Sequence, residues 1–482
     1  MDRMSPLDAS FLHIEEGNNH MHIGSVTIFE GPAPAYDELL ALIMSKLPNV
    51  PRYRQMVRFV PLALGQPVWV DDPHFNLAYH VRHSALPAPG DEDQLRRMAG
   101  RVMSQRLDRT KPLWEVWLVE GLSESRWALI TKVHHCMVDG VSSTDLVSAL
   151  LADERDAPKP AAGPWAPAPP PTGTQLVAAS VTGRSLDPRD QLATVLAAAR
   201  TPAETVRQAV GLLKGAAAMA LSLRPSRGPS LAGRVGPHRR WAWARASLSD
   251  VKTIRAALGG TVNDVVLTAV AGGLRDLLQA RGESVEERTV RTMVPVSVRT
   301  RGEKGVYDNQ VSAMFAELPV GVADPVQRLE AVRAQMDGLK QSKQAVAAQA
   351  LTSMSGFAPP MLLSLGTRLI ARSPQFGFET AATNVPGPQR PVYTLGRRML
   401  ETFPYAPPVG AVPIVTAIFS YDGALSFGVA ADWDRAPDVD VLAAGIERAI
   451  AELVDAAERR ARPAAKPRLH AKAELQPRAS GR

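Results

Sequence analysis

The 482-residue sequence carries a single cysteine, Cys136. One thiol excludes an intramolecular disulfide and any metal site built from several cysteines, and it suits a reducing compartment. No uninterrupted apolar run is long enough to span a bilayer; the nearest, residues 209–221, is short and broken by Lys214. The opening MDRMSPLDASFLHIEE has early acids and no continuous apolar core, which argues against a cleaved signal peptide. Zinc-finger and RNP-type motifs are missing, as is any basic stripe interleaved with aromatics. The formal charge of +7, from 55 Lys and Arg against 48 Asp and Glu, therefore reads as a solvated excess rather than a nucleic-acid surface. Basic residues concentrate in the proline-interrupted tail at 461–482, expected to be disordered. The expected location is the cytoplasm, soluble or peripheral to a membrane. A short-period repeat, a G-x-S-x-G elbow and a regular βαβα alternation are also lacking, which removes the solenoid, serine-hydrolase and doubly wound readings.

What remains is a mixed α/β pattern long enough for two halves. In the first, residues 21–29 alternate as a strand and 36–47 have helical spacing. Residues 67–70 and 77–83 read as strands, 94–107 as a helix, and 114–119 and 126–133 as strands. A proline-rich run from 157 to about 174 ends this half. An Ala-rich helix is expected over 198–221, packed across the halves or lying at a membrane interface. In the second half, Thr261 and Asp264 form a capping box opening a helix that stops at Gly282. Strands follow at 290–298, 309–318, 414–421 and 425–432, helices at 325–340 and 441–457, and a turn at 383–388. The resulting segments are 1–156, a connection at 157–235, 236–460 and the tail at 461–482.

The stretch that concentrates chemistry is HHCMVDG, residues 134–140, where an apolar strand ends at two histidines. Asp139-Gly140 signals a turn, and Ser142 or Ser143 can cap the helix after it. Histidine is the natural proton carrier at neutral pH, with a reference pKa of about 6.5. Adjacent residues in extended backbone point to opposite sides, so one histidine faces a cleft and the other faces packing. Asp139 either orients an imidazole or pairs with an arginine such as Arg299. The same alternation argues against convergent metal ligands and against Cys136 as a nucleophile, so a histidine would act directly on an acceptor, which favours a single step over a covalent enzyme intermediate.

HHCMVDG matches the HHxxxDG signature of the CoA-dependent acyltransferase superfamily. LDASFLHIEE, PVWVDDPHFNLAYHVRH, PLWE at 112–115, GPHRRWAWA, TVNDVVL, MVPVSVR and NVPGP at 384–388 resemble its bacterial wax ester synthase/diacylglycerol acyltransferase branch, in the expected order over about residues 5 to 455. The resemblance implies two chloramphenicol-acetyltransferase-like halves with a tunnel between them. It implies acyl-CoA as co-substrate, diacylglycerol or a long-chain alcohol as acceptor, and no resident cofactor or metal. It maps the general base onto His135, a supporting role onto His134 and a structural one onto Asp139. Trp114, Asn263, Asp264 and Asn384 become candidate substrate-binding residues, against plainer roles in packing, helix capping and turn formation. Arg239, Arg240, Arg397 and Arg398 are candidates for attracting the CoA phosphates. Ala232 departs from the family pattern, where Asn is common. Two alternatives share the scaffold: a condensation-type transferase acting on an amine, and a lipid-binding protein without turnover.

Overall fold

The computed structural model describes residues 2–137, 146–156, 163, 165–182, 229–297, 311–341 and 377–461. Two six-stranded sheets dominate them. The first runs Tyr393–Thr394, Arg397–Tyr405, His22–Phe29, Arg126–His134, Trp114–Leu122 and Val81–Ala85. The second runs Val311–Leu318, Val290–Ser297, Thr380–Pro386, Ile414–Tyr421, Ala424–Asp432 and Arg239–Ser247. Each mixes parallel and antiparallel pairs, the parallel ones being Val81–Ala85 with Trp114–Leu122, and Thr380–Pro386 with both its neighbours. A three-stranded sheet of Asp2–Arg3, Val68–Asp71 and Gln55–Arg58 stands apart.

The centre of the first sheet is the antiparallel pair His22–Phe29 and Arg126–His134. Most of its apolar side chains, among them Val26, Ile28, Trp127 and Ile130, are buried almost completely, and Phe29 stacks on Trp127 at 4.5 Å. At one end of the pair, His22 lies directly opposite His134. Register alone therefore delivers a second histidine to the end of the motif strand.

The second sheet is covered by helices Val262–Ala280 and Val439–Ala461, whose apolar faces share one core with Val294, Phe427 and Val429. Small residues permit the close crossing: a Cβ on Gly273 would meet the Leu442 carbonyl at 2.6 Å. Thr261 caps the first of these helices as expected. Its hydroxyl accepts from the Asp264 N–H at 3.2 Å, and Asp264 accepts from the Thr261 N–H at 2.8 Å.

The sheets interlock. Strand Arg397–Tyr405 leaves the second half of the sequence and pairs with His22–Phe29, so the 236–460 segment contributes to both sheets. At the seam Trp243 stacks on Phe403 at 4.2 Å and Trp241 meets Tyr405 edge-on at 5.0 Å. A Cβ on Gly428 would lie 1.8 Å from the Pro404 carbonyl, so only glycine fits that crossing.

Several expectations need correction. Residues 77–80 form a short helix, Leu77–His80, before the strand Val81–Ala85. Asn76 caps that helix by accepting from the Ala78 N–H at 3.0 Å, which a period-two reading of 77–83 misses. The NVPGP stretch is not simply a turn, because Thr380–Pro386 is a strand parallel to Ile414–Tyr421. The described part of the proline-rich run touches the first half: Ala168 N–H donates to Asp71 at 3.0 Å, and Arg54 lies over Trp165 at 4.4 Å. The expected helix at 198–221 and the basic tail at 462–482 lie outside the described residues.

Candidate active site

Strand Arg126–His134 ends at His134, and a single 3-10 turn, His135–Met137, follows. The turn is fastened by main-chain bonds: His134 N–H donates to Leu113 O at 2.9 Å and His135 N–H to Met21 O at 2.8 Å. The two imidazoles have different surroundings, and the difference arises at the switch from strand to 3-10 turn rather than from strand alternation, since only His134 is in extended backbone.

His134 is fully buried. Its Nδ1 accepts the Cys136 N–H at 3.1 Å, so the ring proton belongs on Nε2, which lies 3.6 Å from Oε2 of Glu15. Burial depresses its pKa, outweighing the pull of Glu15. It is a neutral ring with one nitrogen committed and the other facing a carboxylate.

His135 is only partly buried. Its ring lies against Phe11 with centroids 4.1 Å apart, and Nδ1 is buried without a hydrogen-bond partner among the described residues. Burial first, and the adjacent His134 second, bring its pKa down to about 4, with a polar contact to its own main chain opposing them. The ring is therefore neutral, and able to accept a proton, throughout the neutral range.

Beneath the pair sits Glu15, a carboxylate to which the sequence reading gave no role. It is buried at the end of helix Pro6–Ile14. Arg109 donates to its Oε2 from Nε at 2.9 Å and from Nη2 at 2.6 Å. His22 Nε2 lies 3.2 Å from Oε1, and Met21 N–H donates to the same oxygen at 3.4 Å. Burial raises the Glu15 pKa, but bonding to His134 and His22 prevails and holds it far below the usual carboxylate range. His22 is itself pushed down to about 3 and the stacked His20 to about 4, both chiefly by burial. The sequence separations involved, 94 residues for Glu15 and Arg109, left no local pattern to read.

Cys136 is buried, and burial drives its thiol pKa well above the ordinary value, so it stays protonated. Lys132, also buried, donates to the Val102 and Gln105 carbonyls at the end of helix Glu92–Ser104; burial lowers its pKa to about 8. Asp139 and Arg299 lie outside the described residues.

Trp114 is a core residue. It is almost completely buried, its indole N–H donates to Tyr53 O at 2.7 Å, and it stacks on His80 at 4.6 Å. Asn263 and Asn384 come together across the second half, with Nδ2 of Asn384 at 3.5 Å from Oδ1 of Asn263. Asp264 beside them is buried and spends Oδ2 on the helix cap, while Oδ1 has no partner among the described residues.

The arginines expected to meet CoA phosphates are engaged elsewhere. Arg239 is buried and donates to Gly236 O, His238 O and Asn18 O; Arg240 lies over the Trp433 ring at 3.7 Å. Arg397 donates to Pro32 and Leu395 carbonyls, and Arg398 pairs with Asp422 at 2.8 Å. Arg239, buried with both terminal nitrogens on carbonyls, is a structural group, and the other three arginines each have a partner within the chain.

The wax ester synthase/diacylglycerol acyltransferase catalytic domain matches residues 4–266, so it contains both the motif turn and the Glu15 cluster. The chain belongs to the wax ester synthase/diacylglycerol acyltransferase family. The family's C-terminal domain matches residues 307–454. A probable diacylglycerol O-acyltransferase, tgs1, of Mycobacterium tuberculosis is 38% identical over 464 residues, covering 95% of this chain and 97% of its own. Among solved structures, the wax ester synthase/diacylglycerol acyltransferase of Marinobacter aquaeolei superposes with a TM-score of 0.66 at 26% identity, over 95% of this chain and all of that one. The trichothecene 15-O-acetyltransferase of Fusarium sporotrichioides, at 14% identity and a TM-score of 0.57 over 94% of each chain, shares the fold. Membership and this coverage make the chain an acyltransferase.

Proposed function

We propose that this acyltransferase moves a long-chain acyl group from acyl-CoA to the hydroxyl of diacylglycerol or a long-chain alcohol, with His135 as general base and no acyl-enzyme. One observation carries the assignment of roles: His134 is sealed and committed at Nδ1, whereas His135 is partly exposed. Since Nδ1 of His135 is itself buried, Nε2 is the nitrogen that can reach a substrate. In the proposed reaction Nε2 takes the hydroxyl proton as the alcohol oxygen bonds to the thioester carbonyl carbon. The carbon–sulfur bond then breaks, and the CoA thiolate recovers the proton from His135. A protonated, buried Cys136 suits direct transfer. The acceptor class follows the names of the family and its relatives.

The test is purified protein with one long-chain acyl-CoA and diacylglycerol and a long-chain alcohol in competition, following thiol release and both products. His135→Ala should remove acceptor-dependent thiol release while leaving the folding transition in place. Retained turnover would end the assignment.

Lipidic acceptors imply work at a lipid surface, and the proposed location is the cytoplasmic side, peripheral to membrane or lipid inclusions. The loop between the small-sheet strands supports this. Phe59, Leu62 and Leu64 are 48%, 81% and 44% exposed, and exposed Arg58 flanks them with positive charge.

A further inference from the structure

A carboxylate buried to this degree is costly to desolvate unless its partners compensate, so its surroundings indicate what it holds in place. Arg109 is the full positive charge bonded to Glu15, and the same guanidinium donates to Leu12 O at 2.9 Å and Glu15 O at 3.1 Å. Together the two side chains pin the last turn of helix Pro6–Ile14. From there three separate routes reach His135. Oε2 faces Nε2 of His134, whose Nδ1 takes the Cys136 N–H and so holds the 3-10 turn. Oε1 accepts the Met21 N–H, and the Met21 carbonyl accepts the His135 N–H. The pinned helix also carries Phe11, against which the His135 ring lies.

We propose that Glu15, held by Arg109, is the positioning residue for His135, setting its backbone, its neighbour's tautomer and the surface its ring rests on. The inference rests on His135 being the base. Glu15 touches no reacting atom in this scheme. Its charge matters because an ionised, acceptor-only carboxylate keeps the proton of His134 on Nε2 and leaves Nδ1 free to accept. A carboxamide at the same place can turn its N–H₂ toward His134 and reverse that preference.

The experiment compares Glu15→Gln, Glu15→Asp and Arg109→Lys with the parent in the full chain, using a long-chain acyl-CoA and a long-chain alcohol. Misplacing a catalytic group by an ångström costs on the order of 100-fold in rate. Glu15→Gln is expected to lower kcat roughly 10- to 100-fold with KM for acyl-CoA within about threefold, and Glu15→Asp to restore part of the loss. A folded Glu15→Gln with kcat within about twofold of the parent would overturn the proposal, whatever its Tm. Should Glu15→Gln give no folded protein, Arg109→Lys, which keeps the charge and loses the two-pronged contact, is read by the same criterion. His135→Ala is run alongside. An active His135→Ala defeats the base assignment itself, whereas an inactive one beside a fully active Glu15→Gln defeats only the role of Glu15.

Discussion

The Cys136 main-chain N–H donates to Nδ1 of His134 across 3.1 Å, inside a site where both groups are buried. That bond closes the turn around His135 and leaves His134 no lone pair for catalysis. Replacing His134 by Ala strands a buried N–H, at a cost of about 1–3 kcal/mol. His134→Asn, whose side-chain oxygen can stand near the position of Nδ1, should lose less. Thermal unfolding of the two variants against the parent checks the order; equal losses would show that the bond to Cys136 N–H is not what His134 contributes.

If His135 is the base, as proposed, the pKa of about 4 to which burial brings it sets the acid limb of the rate profile. Lowering pH from neutrality should leave kcat/KM flat through the reference histidine range near 6.5 and reduce it only toward pH 4–5. The measurement is initial-rate kinetics in overlapping buffers over the pH range in which the protein stays folded. A half-loss centred near 6.5 would mean a solvated imidazole rather than this one.

His80 tests the same physics away from the site. It is buried, stacks between Phe75 and Trp114, and donates from Nδ1 to the Trp114 carbonyl at 2.9 Å. Burial lowers its pKa to about 4. Between that value and about 6.5 the unfolded chain holds a proton the folded one lacks, so stability is lost as pH falls through this window. The loss reaches about 3 kcal/mol at its acid end. His80→Gln should therefore flatten the decline of Tm between pH 6.5 and 4 while costing stability at pH 7. An unchanged slope would count against a buried neutral His80.

Leu62 holds a left-handed φ of 56°, unusual for a branched side chain, and is the most exposed of the large apolar residues described. In co-sedimentation with vesicles containing anionic phospholipid, Leu62→Ser with Phe59→Ser should bind several-fold more weakly at constant ionic strength. Thiol release on a water-soluble, short-chain alcohol should persist. Vesicle binding that survives both substitutions would move the lipid contact elsewhere.

Where side-chain period and capping chemistry agreed, the sequence was readable. The capping box at Thr261 and the strand that leads into the motif appear where local rules put them. Local rules failed at Leu77–His80, where the Asn76 cap started a helix inside an alternating pattern, and at Thr380–Pro386, where NVPGP reads as a turn although the segment is paired on both sides. They failed more completely at Glu15. Its partners Arg109, His22 and His134 are assembled only by the register of His22–Phe29 against Arg126–His134 and by the docking of the first helix. Arg239 shows the converse: an arginine that sequence offers for CoA phosphates is sealed, because carbonyls from 18, 236 and 238 converge on it, while its neighbour Arg240 stays partly exposed.

The strand Arg397–Tyr405 covers the edge of His22–Phe29 from the opposite end of the sequence. Cut between the halves, the first sheet would be left with an open row of unpaired backbone groups beside the strand that ends at His22. Synthesis must therefore run past residue 405 before His22–Phe29 has both its neighbours, so the sheet that leads into the proposed catalytic turn closes late in translation.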